Sequence, residues 1–335
     1  MFWGKAAKSL ATLALVGMSV VGCASEPETE EQQSTSVEPS TALGESGSPE
    51  PSPVEIEPEE LEVNPFDTPF PLEFTKEDLI KATLAELDEF LDYSNDALSV
   101  SLELQEGFPA SEVPWIEEIV DAAATSLPFP SGSTALIAVG MDDDFTTEAL
   151  QSFGLAPSYG WPACGVTTYE SYCAGPGWAV FNYRASVKSP DDFNLRGKKA
   201  VVAHEMLHVW QFAVTKGNPA TGPLWLEEGL AQVYGFAVGE ALGLESYLEC
   251  RNHELLYNPV GARPLEEHSS YEFSPYGIGM VASEYLIASV GFEAILKIYV
   301  LMGTGSTFEV AFSEAVGIEI EAFYEDFEAV RSQFS

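Results

Sequence analysis

Residues 204–208 read His-Glu-Met-Leu-His. On an α-helix, histidines four residues apart lie on one face. His204 and His208 can therefore take two corners of a zinc tetrahedron while Glu205 points at the metal's open position as a proton acceptor. The chain has only four histidines, His204, His208, His253 and His268, so this spacing would be a rare accident. Twenty residues beyond His208 comes Glu228, inside Trp225-Leu226-Glu227-Glu228-Gly229-Leu230-Ala231. Adjacent helical residues point about 100° apart, so only one of Glu227 and Glu228 can face a metal shared with the histidines.

The elements that must position these side chains are legible in the surrounding pattern. The motif helix is expected to begin near Asn194 or Leu195 and to stop at Lys216-Gly217, a basic last turn with glycine beyond it. Val201, Val202, Met206, Leu207, Val209, Trp210 and Phe212 surround the polar pair, so the helix should be buried on nearly all sides. Two histidines and a glutamate buried there are costly unless paired or metal-bound, which argues against a purely structural role. Gly222-Pro223 opens the next helix, which carries Glu228; a proline is harmless at an early helical position.

Upstream, Thr75 to about Leu104 has an acidic amphipathic helical pattern, and a second helix is expected over Val113–Ser126. Thr134–Gly140 and Trp178–Arg184 read as strands. Strands interleaved with helices before the motif and helices after it define an α+β class: a small mixed sheet lobe carrying the motif helix, then a mainly helical lobe. The aromatics Phe308, Phe312, Phe323, Tyr324 and Phe327 look like packing for that second lobe.

His204-Glu205-x-x-His208 followed by Trp225-Leu226-x-Glu228-Gly229-x-Ala231 resembles the gluzincin zinc metallopeptidases, in particular their aminopeptidase-N-like branch. The resemblance implies a zincin-like fold and one zinc per chain held by His204, His208 and Glu228. It also implies that Glu205 is the general base for metal-activated water acting on a peptide or protein substrate. The Glu-Gly-x-Ala frame of the family selects Glu228 over Glu227. Gln211 and Gln232 stand where they could hold ligands by hydrogen bonds. Tyr276-Gly277-Ile278-Gly279 resembles the Tyr-x-x-Gly helix start of the family, which implies that Tyr276 is the donor to the developing oxyanion.

The resemblance also places Trp178–Arg184 as the edge strand on which an extended substrate lies. Gly177 and Asn182 are present there, but no glutamate stands between them to hold a substrate's amino end, which leaves endo- and exopeptidase readings open. His268, beside Glu266 and Glu267, reads as an exposed loop histidine or as a proton donor reaching the cleft. Arg184, Lys188, Arg196, Lys198 and Lys199 form a basic cluster that either steers acidic substrates or solvates one surface. A catalytically silent lipoprotein that keeps the metal as a binding or assembly module is the alternative reading.

The first 23 residues have a basic start (Lys5, Lys8), an apolar stretch from about Leu10 to Val21, and Val20-Val21-Gly22-Cys23. This is the layout of a secretory signal, too short to span a bilayer comfortably. Its last four residues resemble a bacterial lipobox, which implies cleavage before Cys23 and lipidation of its thiol, so that the protein is exported and membrane-anchored outside the cytoplasm. Residues 24–65 hold twelve glutamates and no lysine or arginine, and read as a disordered, self-repelling spacer. Residues 66–335 remain for the metallopeptidase-like domain.

With 53 Asp and Glu against 14 Lys and Arg, the net charge is −39, which excludes nucleic acid as a partner. In an exported chain Cys164 and Cys173 are expected to form a disulfide across a short loop, stabilising by about 2–3 kcal/mol in the chain-entropy model. Cys250 is left over, buried or reactive.

Overall fold

A computed structural model describes residues 74–91, 97–153, 172–183, 199–216, 222–270 and 272–334. The signal segment with Cys23, the spacer 24–65, Cys164 and the basic residues Arg184, Lys188, Arg196 and Lys198 lie outside the described residues. Contacts unite Glu62–Ser335 into one unit.

The described part is a mixed α and β structure with a small mixed sheet followed only by helices. Helix α1 (Lys76–Leu91) is amphipathic, and buries Leu79 and Leu87. The helical pattern that extends to Leu104 is not followed: Leu98–Leu104 is strand β1, with side chains alternating between half-buried and exposed. Leu-Ser-Val-Ser-Leu-Glu-Leu has strict period-two alternation, and that period prevails where a helical one would scatter the apolar residues over two faces.

Helix α2 (Val113–Ser126) and strand β2 (Ser133–Gly140) fall where the sequence pattern places them. Helix α3 (Asp143–Ser152) has no apolar stripe to announce it; its local signal is Asp142, whose side chain caps the helix by accepting from the Phe145 N–H at 2.9 Å. Strands β3 (Tyr172–Gly175) and β4 (Trp178–Asn182) complete the sheet in the order β1-β2-β4-β3. The pairs β1–β2 and β2–β4 are parallel, and β3–β4 is antiparallel.

One expectation is corrected by this order. β4 is an inner strand with all five residues buried, and β3 is the sheet's edge next to it. The apolar run Trp178–Phe181 is the mark of a strand covered on both faces, which an edge strand does not need.

The motif helix, α4 (Ala200–Val214), packs on β3 and β4 from one side and on helix α5 (Leu224–Ala241) from the other. Its first turn is held by Glu245, whose Oε2 accepts from the Ala200 N–H at 2.8 Å and so satisfies one orphan donor at the positive end of the helix. Pro223 sits at the N-cap of α5. Helix α6 (Tyr247–Tyr257) and a short 3-10 turn (Leu265–His268) lead to α7 (Tyr276–Val290), α8 (Phe292–Gly303), α9 (Phe308–Val316) and α10 (Ile320–Val330).

Two tryptophans anchor the helices that bear the motif. Trp210 of α4 is fully buried and donates Nε1–H to the Pro128 carbonyl at 3.1 Å. Trp225 of α5 stacks on Phe323 at 5.7 Å and donates to the Tyr324 hydroxyl at 3.2 Å. Phe308, Phe312, Phe323 and Phe327 are buried in the same core.

Glycines let α5 lie unusually close to both neighbours. A Cβ on Gly235 would stand 2.6 Å from the Ala200 carbonyl oxygen, and one on Gly229 only 2.2 Å from the Gly279 carbonyl carbon and oxygen in α7. Because the obstacle at Gly229 is backbone, Gly229→Ala must push α5 and α7 apart. It is expected to destabilise the fold by about 1–3 kcal/mol despite its better helix propensity, as a lower midpoint of chemical denaturation; an unchanged or raised midpoint would refute the close approach.

Candidate metal centre

His204, Glu205, His208 and Gln211 project from α4, and Glu228 reaches them from the first turns of α5. His204 and His208 are 7% exposed and Glu228 is 5% exposed. The two Nε2 atoms are 3.0 Å apart, and each lies 3.4 Å from Glu228 Oε2. A tetrahedral zinc with bonds of about 2.0–2.1 Å has donor–donor edges of about 3.3–3.4 Å, so the three atoms fit one face of such a site. Among the described residues this is the buried His-His-Glu group able to bind a metal ion.

The surrounding hydrogen bonds suit that use. His208 Nδ1 lies 2.7 Å from Gln211 Oε1, an acceptor, so Nδ1 carries the proton and the Nε2 lone pair faces the cluster in the neutral ring. Gln211 in turn donates to the Glu227 carbonyl at 3.4 Å and hydrogen-bonds the buried Tyr299 of α8. Among the described residues, nothing hydrogen-bonds the buried Nδ1 of His204. Gln232 does not turn to the ligands but donates to Glu254 Oε2 at 3.0 Å.

Charge separates the two candidate carboxylates. Burial alone would raise Glu228, but the His208 charge and hydrogen bonds from both histidines hold it far below the usual carboxylate range. Burial pushes the adjacent Glu227 up to about 7, helped by the Glu228 charge and opposed by His208. A metal ligand must be ionised, so both geometry and protonation favour Glu228. Burial also raises Glu205, partly offset by the two histidines.

The neighbouring candidate residues separate in space. Tyr276 starts α7, and burial together with the carboxylates of Glu228, Glu205, Glu254 and Glu227 pushes its phenol well above the usual tyrosine value, which places it in the field of the cluster. His268 is not an exposed loop residue: it ends the 3-10 turn, is 8% exposed, and donates Nδ1–H to the Ser274 carbonyl at 2.8 Å. The flanking Glu266 and Glu267 made it look solvated, yet the turn directs those two outward and the imidazole inward.

Cys173 is buried in β3 and disulfide-bonded, while its expected partner Cys164 lies outside the described residues. Cys250 is buried in α6. Lys199 of the basic cluster lies over the Trp115 ring at 5.6 Å. Glu254, Glu245 and Tyr299 had no sequence signal: each is an ordinary helix or loop residue until the helices are packed.

Comparison with family models, with curated proteins and with solved structures yields no match. The chemistry is therefore carried by the arrangement of these side chains alone.

Burial would lower His208, but the charge and hydrogen bond of Glu228, with Glu205 and Glu227, raise it to about 10. Its folded value lies above the unfolded one, so the stability the pair contributes is fully present below about 6.5 and is lost as pH rises through about 10. A metal needs the unprotonated Nε2. Binding at pH 7 is thus expected to expel about one proton per ion, and affinity should climb about tenfold per pH unit until that proton is gone. Calorimetry in two buffers of different ionisation enthalpy measures the proton count; none released would contradict the His208–Glu228 pairing.

Proposed function

We propose that this chain is a zinc metallopeptidase of zincin-like fold, exported and anchored outside the cytoplasm by a lipid on Cys23. The observation that carries the reading is the buried triangle of His204, His208 and Glu228, with Glu205 beside it on the same helix. A bound zinc supplies Lewis acidity, acidifying water and polarising a carbonyl.

The remaining steps belong to the chain. Glu205 accepts a proton from the attacking water and returns it to the nitrogen of the breaking C–N bond, and the second water proton passes from the new carboxyl group to the released amine, so that one peptide and one water yield a carboxylate and an ammonium group. Tyr276, a neutral phenol under the surrounding carboxylates, can donate to the oxygen on which charge develops. Edge strand β3, packed against α4, offers main-chain groups to an extended substrate. The absence of a glutamate between Gly177 and Asn182 favours no amino-end recognition on β4.

The test is metal content by mass spectrometry on the purified protein beside Glu228→Ala and Glu227→Ala. One zinc per chain in the parent, lost in the first variant and kept in the second, is expected. No zinc after reconstitution removes the reading, and zinc without cleavage of any unstructured protein leaves a silent metal-binding lipoprotein.

A further inference from the structure

Four polar side chains outside the metal-ligand set run continuously from the Glu228 helix to the loop that opens the Tyr276 helix. Gln232, one turn beyond Glu228 on α5, donates Nε2–H to Glu254 Oε2 at 3.0 Å. The other carboxylate oxygen, Oε1, accepts from Asn258 Nδ2 at 2.8 Å. Asn258 Oδ1 then accepts from Ser274 Oγ at 2.7 Å. Ser274 stands two residues before Tyr276, and its carbonyl is held by His268 at 2.8 Å.

The backbone repeats the tie. A Cβ on Gly277 would lie 1.6 Å from the Asn258 carbonyl oxygen, so the first turn of α7 sits directly on the end of α6. Both oxygens of Glu254 are thus occupied by donors from opposite sides, which makes it a strut rather than an acid free to move.

We infer that Glu254 is a positioning residue: through Gln232 on one side and Asn258 and Ser274 on the other, it sets Tyr276 relative to the metal-ligand helix. This rests on the metallopeptidase reading of the cluster. Tyr276 begins a helix, where the backbone lacks intrahelical bonds and the first turn frays. A donor to a developing oxyanion must nevertheless be held within about 0.5 Å of its productive place. Among the described residues of the segment 269–275 there is no sheet or helix to do that, and the Glu254 chain supplies the constraint.

The test uses the full chain carrying 3-fluorotyrosine, with Tyr276→Phe identifying the residue-276 signal among the 13 tyrosines. In the parent, that fluorine resonance should shift when zinc is added. In Glu254→Gln, and in the milder Ser274→Ala, one zinc per chain should still bind while the zinc-dependent shift disappears. In both variants kcat should fall about tenfold at unchanged KM, with no further loss when Tyr276→Phe is added.

A resonance indifferent to zinc in the parent, an unchanged shift in the zinc-loaded variants, or losses that simply multiply with Tyr276→Phe would each overturn the inference while leaving the zinc site standing. Failure of the parent to take up zinc would overturn the metallopeptidase reading and the inference together.

Discussion

Glu205→Gln is expected to keep one zinc per chain and to lower kcat about 10²–10⁴-fold, the range contributed by a positioned general base. Glutamine has nearly the same size and shape, so α4 keeps its packing on β3 and α5. Glu205 is not among the atoms that meet at the metal position, so the ligand set His204, His208 and Glu228 is untouched. What is lost is the ability to accept a proton, which an amide oxygen lacks at neutral pH. The residue is 7% exposed, and burial raises its carboxyl above the usual range, a setting that suits proton transfer better than one in which the carboxylate is held far down. Turnover of an unstructured protein and metal content are measured on the same sample; full activity with a full metal complement would end the proposed mechanism.

Arg251→Met is expected to destabilise the fold by about 3–5 kcal/mol, through a different part of the molecule. Arg251 and Glu284 are both 0% exposed. Arg251 Nε lies 2.8 Å from Glu284 Oε1 and 3.0 Å from Oε2, and its Nη2 donates to Oε2 at 2.9 Å and to the Phe334 carbonyl at 2.8 Å. The Tyr247 hydroxyl adds a 2.7 Å hydrogen bond to Glu284 Oε1. The group pins α6 and α7, the helices that carry Glu254 and Tyr276, to each other and to the chain at Phe334.

Methionine removes the counter-charge that Glu284 has among the described residues and leaves a buried carboxylate. The double variant Arg251→Met, Glu284→Leu removes both charges and should regain most of the loss, since a buried pair is weakly stabilising against a well-packed apolar replacement. Chemical denaturation of the three variants separates these outcomes. A single variant within 1 kcal/mol of the parent would show that the pair is not desolvated.

The metal-binding residue types and spacing are legible in the sequence because the α-helix has a fixed period. Four residues separate His204 from His208 on one face, and the same geometry permits only one of two adjacent glutamates to face them. The mixed α and β class, the helices after the motif and the burial of α4 follow from local hydrophobic periodicity for the same reason.

Tertiary structure decided what local pattern does not encode. The period-two run Leu98–Leu104 became a strand because it could pair with β2, whereas an isolated reading continued the preceding helix. Which strand forms the edge beside α4 depended on the pairing order, which strand sequences do not state. Glu228 was brought to the histidines by the close passage of α5 across α4 that Gly235 allows. The roles of Glu254, Glu245, Arg251 and Glu284 are invisible in sequence, because a charged residue on a helix or in a loop becomes a strut, a cap or half of a buried pair only when a distant element removes its water and offers it a partner.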